Sequence, residues 1–101
     1  IDDNPLTIDD ILDSVCNHFE VTVAAVNGRS RKREYVEARQ VSMYLAQKYT
    51  KMPASRIGKL MGGRDHSTVI HSCSKVEKRL EVDKLFLDEI ASIENSFKLK
   101  R

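Results

Sequence analysis

The sequence predicts an all-α domain, a bundle of about six helices that contains a helix-turn-helix. Three observations carry that expectation. Apolar residues recur at three- and four-residue spacing near both ends and in the middle of the chain. A glycine pair, Gly62-Gly63, stops one such segment, and Asp65, a good helix-capping residue, stands just before the next. The one short candidate strand, residues 21–23, has no obvious partner.

The first helix is expected over about residues 8–19. Thr7 stands as its N-cap, Asp9 and Asp10 lie in the first turn, and Ile8, Ile11, Leu12, Val15 and Phe19 form the apolar stripe. Pro5 marks the loop before it, and His18 falls near its C-terminus as a surface polar or charged group. Thr22 is placed to cap one or two further turns ending at Asn27-Gly28. The run Arg29-Ser30-Arg31-Lys32-Arg33 then has four cations in five positions and no apolar residue. It reads either as a solvated charge run or as an arm that touches phosphates or a minor groove.

Residues 34–50 read as the longest, central helix, with Val36, Val41, Tyr44 and Leu45 inward. Pro53 is suited to the first turn of a short helix over residues 54–61, which the glycine pair ends. A helix of about 13 residues follows. The last helix begins after Asp83 with a stripe of Leu85, Phe86, Ile90, Ile93 and Phe97, and Lys98, Lys100 and Arg101 make a basic tail.

With 101 residues, 41% hydrophobic and 32% charged, the composition is that of one globular helical domain rather than a disordered chain, and no apolar run reaches the roughly 18 residues of a membrane span. The chain starts at Ile1 and is expected to be part of something longer. Cys16 and Cys73 sit in helical patterns and suggest two buried thiols in a reducing cytosol. Net charge is only +2, but its distribution is uneven. Residues 1–27 hold six acids and no Lys or Arg, residues 28–79 hold thirteen bases against four acids, and the remainder is nearly balanced. A concentrated basic block between acidic ends points to a polyanionic partner.

The helix after Gly62-Gly63 has two sides. Advancing about 100° per residue from His66, the residues Val69, Cys73, Val76 and Leu80 collect on one side with Ile70 flanking them. Ser67, Thr68, His71, Lys75 and Lys78 collect opposite, a polar and cationic face without acids. Short hydroxyl and imidazole groups near a helix start suit base edges, and lysines further along suit phosphates. Asp65 is placed to cap the helix and also to accept from a cytosine amino group, roles that do not exclude each other.

Enzyme signatures fail at this stretch. His66, His71 and Cys73 diverge around the helix and do not converge on one metal ion. Asp65-His66-Ser67 are neighbours that point apart, unlike a catalytic triad, and the Lys-Ser/Thr ending of a phosphate-binding loop is missing. Two other partners remain open from composition alone: an acidic protein docking on the basic face, and RNA, disfavoured because no stacking aromatic accompanies the cations.

The run Gly62-Gly63-Arg64-Asp65-His66-Ser67-Thr68-Val69-Ile70-His71 closely resembles the signature of the DNA-binding domain of the DnaA family of bacterial chromosomal replication initiators. The resemblance extends to Thr7-Ile8, the Arg-rich loop, Ala38-Arg39-Gln40 and Ile57-Gly58. It implies an isolated C-terminal domain with a bundle similar to that of the Trp repressor. It implies sequence-specific binding to a short asymmetric A/T-rich box in the replication origin, initiating chromosome replication in the bacterial cytoplasm, at the nucleoid. By the same resemblance Arg31 enters the minor groove and Arg33 lies close to the same path, while Arg29 and Lys32 of the charge run are expected at the backbone or groove. The residues matching Arg39 and Gln40 support backbone contacts, and Arg64 is expected at the backbone or groove. Asp65, His66, Ser67 and Thr68 read bases in the major groove, while His71, Lys75 and Lys78 line the groove or touch phosphates. No cofactor is implied for this domain. ATP belongs to the family's nucleotide-binding domain, which is not in these residues, and other initiator protomers are expected as partners through the parent protein. Ser67 departs from a common Thr in the family, keeping the hydroxyl and losing a methyl.

Overall fold

The computed structural model describes residues 7–99, and for residues 98 and 99 the backbone alone. Six helices follow one another: α1 (Ile8–Phe19), α2 (Val23–Asn27), α3 (Arg33–Thr50), α4 (Ala54–Leu60), α5 (His66–Val82) and α6 (Lys84–Leu99). Among the described residues there is no strand, so the alternative at residues 21–23 resolves in favour of a helix. Pro5, Lys100, Arg101 and the side chain of Lys98 lie outside the described residues.

The predicted caps form. Thr7 accepts from the Asp10 N–H and its own N–H donates to the Asp10 carboxylate, both at 3.2 Å, which satisfies two of the free donors at the start of α1. Thr22 accepts from the Ala25 N–H at 3.1 Å and starts α2. Helix α3 begins one residue earlier than the apolar spacing suggests and has no side-chain cap. Helix α5 runs to Val82, longer than the expected 13 residues, and Asp83 then accepts from the Phe86 N–H and starts α6.

Helix α3 is the hub, packing against α1, α2, α4 and α5, and α6 closes the bundle over α1 and α5. Because neighbours surround α3, its buried set is wider than one stripe: Ser42, Met43 and Ala46 are buried with Val41 and Leu45, while Val36 is half-buried. The buried Ser42 hydroxyl donates to the Ala38 carbonyl at 2.7 Å, which removes the cost of an unpaired polar group. Two apolar residues assigned inward turn out exposed. Leu85 is 79% exposed because the next residue, Phe86, takes the inward direction at the start of α6, and Ile70 is 52% exposed on α5. His18 reaches Glu89 at 3.2 Å and ties the end of α1 to α6. Cys16 and Cys73 are free and buried; burial raises both thiols, Cys73 to about 11 with the Glu77 charge adding to the effect.

The Tyr49 hydroxyl donates to Glu94 at 2.7 Å while Lys48 approaches the same carboxylate oxygen at 2.8 Å. Burial, then the bond to Glu94, pushes the phenol up to about 12 from an ordinary 10. The folded state therefore favours the protonated phenol. The stability it contributes is fully present below pH 10 and is lost as pH rises towards about 12. In an absorbance titration, one of the three tyrosines should ionise only as pH approaches 12; simultaneous ionisation of all three would remove the Tyr49–Glu94 bond from the account.

Candidate nucleic-acid interface

Helices α4 and α5 meet at a closely packed corner. Gly62 and Gly63 adopt φ of 90° and 73°, the left-handed region that L side chains enter at a cost. The Arg64 N–H donates to the Gly58 carbonyl at 2.8 Å and closes the turn. Gly58 is there for a different reason: a Cβ at this position would lie 2.1 Å from the Arg64 carbonyl oxygen. Only a bare backbone lets α4 approach the turn this closely. Val69, fully buried on the first turns of α5, packs into the same corner.

Asp65 caps α5. Its carboxylate accepts from the Ser67 N–H at 3.3 Å, and the hydrogen bonds from Ser67, hydroxyl and N–H, hold its carboxyl below the usual range. His66 Nδ1 stands 3.4 Å from the other Asp65 oxygen. His66, Ser67, Thr68, His71, Lys75 and Lys78 are all exposed, so every side chain placed on the polar face of this helix does reach solvent. Ile70 joins them, an apolar contact surface beside Ser67 and His71 that the wheel had placed at the edge of the core.

The basic loop lies at the start of α3 with Arg29, Arg31, Lys32 and Arg33 exposed. Arg31 and Arg33 converge with Gln40 and Lys75 on a cleft of about 380 Å³ between loop, α3 and α5. Val36, Glu37 and Arg79 complete its lining, the last two absent from the residues expected at the interface. Arg79 is 3.4 Å from both Glu37 and Asp83, and its guanidinium stacks over the Phe86 ring at 3.9 Å. Nothing in the local sequence announces that cluster, because its members come from three helices.

Arg39 and Arg64 behave differently from the other cations. Both are half-buried and turn to backbone carbonyls. Arg39 donates through Nε to Val26 at 2.8 Å and through Nη2 to Gly28 at 3.2 Å and Ser30 at 3.1 Å. Arg64 donates to Asn27 at 3.3 Å and also to Met61 and Gly28. Partial burial lowers the pKa of both; Arg29 adds to this for Arg39, and Arg39 and Arg29 add to it for Arg64. Three guanidinium groups thus crowd one corner, and among the described residues no carboxylate pairs with Arg39 or Arg64.

No group of three His, Cys, Asp or Glu side chains that could hold a metal ion occurs among the described residues, and no helix there is long and apolar enough to cross a membrane. A helix-turn-helix whose second helix exposes hydrogen-bonding side chains beside a cationic loop is the construction of a DNA-binding domain. Residues 8–76 match the family described as bacterial dnaA protein helix-turn-helix, and the chain belongs to that family. It is 52% identical over 95 residues, 94% of its length, to the chromosomal replication initiator protein DnaA of Bacteroides thetaiotaomicron. It is 48% identical over 93 residues (92% of its length) to that of Bacteroides fragilis and 41% over 85 residues (84%) to that of Lachnoclostridium phytofermentans. The chain spans about one fifth of each of these relatives, 20%, 20% and 19% in turn.

Proposed function

We propose that this chain is the duplex-reading domain of a bacterial replication initiator and binds a short, asymmetric, A/T-rich box of the DnaA type at the replication origin. The observation that carries this reading is the cleft in which Arg31 and Arg33 of the loop before α3 meet Lys75 of α5, the helix whose exposed face also carries His66, Ser67, Thr68 and His71. In this reading the N-terminal turns of α5 enter the major groove, where Asp65, His66, Ser67 and Thr68 meet base edges. Arg31 lies in the adjacent minor groove, whose narrow A/T form concentrates negative potential. His71, Lys75, Lys78, Gln40, Arg29, Lys32 and Arg33 approach the sugar-phosphate strands between the two. The domain carries no cofactor; ATP chemistry and contacts with other initiator protomers belong to the rest of the parent protein, acting at the nucleoid in the cytoplasm.

The test is a titration of the domain against box and scrambled duplexes at two salt concentrations. Preference for the box by a factor of about 10³ or more is expected of a specific reader. Equal affinity for both duplexes would end this reading. Within it, His66→Ala should cost roughly 1–3 kcal/mol on the box and little on the scrambled duplex, so that selectivity narrows. An equal loss on both would assign His66 to the backbone instead.

A further inference from the structure

Residues 27–30, the root of the basic arm, are gripped from two directions. From α3, Arg39 holds the carbonyls of Val26, Gly28 and Ser30. From the position just before the α5 cap, Arg64 reaches back 36 and 37 residues to the carbonyls of Gly28 and Asn27. Gly28 offers one oxygen to both guanidinium groups. The backbones also touch: a Cβ on Gly62 would lie 2.3 Å from the Asn27 carbonyl oxygen, so the helix-turn-helix corner rests directly on the end of α2. The arm has little else to hold it. Arg29, Arg31, Lys32 and Arg33 are exposed; the Lys32 N–H donates to Ser30 at 3.3 Å, and the Lys32 carbonyl, where α3 begins, accepts from the Tyr35 and Val36 N–H groups at 3.1 and 2.9 Å.

We propose that Arg64 and Arg39 are positioning residues that share the Gly28 carbonyl and thereby fix the basic arm relative to the recognition helix, so that the two grooves are read as one unit. This rests on the function proposed above. A guanidinium is required because its planar fork holds two or three carbonyls in fixed directions, which an ammonium on a flexible stem does not reproduce. The arrangement also explains why cations near the interface point inward. Their charge still adds to the potential at the cleft, while their hydrogen bonds set the angle at which Arg31 leaves the surface.

Arg64→Lys keeps the charge and loses the fork, and it separates this role from a direct phosphate contact. Two measurements are made on the same variant. In the free protein, amide hydrogen exchange over residues 28–32 should accelerate tenfold or more relative to wild type; unchanged exchange overturns the grip. On DNA, a G·C pair placed where the arm lies puts an amino group in the minor groove, and the wild type should lose on the order of tenfold in affinity. In Arg64→Lys that penalty should shrink to about twofold, and adding Arg31→Ala should cost little more. A penalty as large as in wild type, or a uniform loss on all duplexes, overturns the proposal. If Arg64→Lys does not fold, Arg39→Lys removes the same grip from α3 and is subject to the same outcomes. Should the wild type itself show no minor-groove penalty, the reading of the function fails, while the exchange measurement still decides the grip.

Discussion

Gly58→Ala is expected to lower the melting temperature by about 10 °C and to loosen the reading of DNA, although Gly58 is buried and is not itself part of the exposed face. The added Cβ would stand 2.1 Å from the Arg64 carbonyl oxygen, a backbone atom with no flexible tip to move aside. Overpacking costs roughly 1–3 kcal/mol, and a backbone obstacle places this case at the upper end or beyond, against a gain of up to ~1 kcal/mol from the better helix propensity of alanine. A net loss of about 2 kcal/mol corresponds to the stated shift for a domain of this size. Relief of the clash must tilt α4 away from the turn that carries Asp65 and His66. Gly63→Ala supplies the comparison: it has open space around a Cβ and costs only the left-handed backbone penalty, ~1 kcal/mol. A thermal melt of both variants decides the matter, and a Gly58→Ala domain as stable as wild type would remove the close approach from the account.

Duplex binding is expected to weaken about 10³-fold between 50 and 200 mM monovalent salt. Six cations on the proposed interface are exposed: Arg29, Lys32, Arg33, Lys75 and Lys78 at the strands, and Arg31 in the minor groove, where its charge displaces counterions in the same way. Each neutralised phosphate contributes about −0.9 to the slope of log affinity against log salt, so six contacts give a slope of about −5. Had Arg39 and Arg64 also pointed outward, the slope would approach −7 by the same rule. Anisotropy titrations across that range therefore test the partner and the inward orientation of these two arginines together. A flat dependence would exclude a nucleic acid. Lys75→Ala should bring the slope closer to zero by about 1 on box and scrambled duplexes alike.

Much of this domain was legible in one dimension wherever a local cause sufficed. Thr7 with Asp10, Thr22, the glycine pair and Asp65 each act on backbone groups within three residues, so their caps and turns follow from residue type and spacing. The exposed face of α5 followed from the helical period for the same reason. Where a helix is enclosed on several sides the period loses its meaning, which is why Met43, Ala46 and Ser42 were missed on α3. Leu85 and Ile70 failed in the opposite way, since an apolar residue at the margin of a stripe is buried only if a neighbouring helix happens to cover it.

The chain by itself determined the all-α class, the helix-turn-helix corner, the basic block and the family to which they belong, because each is written in contiguous residues or in their period. The tertiary structure decided what the arginines do. A cation in a sequence looks the same whether it faces a phosphate or a carbonyl. Only the packing of α2, α3 and the turn against one another brings the Gly28 oxygen within reach of both Arg39 and Arg64. The same packing brings Glu37, Arg79 and Phe86 together beside the cleft. Contacts between residues tens of positions apart depend on how helices cross, and that is settled by the fit of whole surfaces rather than by any stretch of the chain.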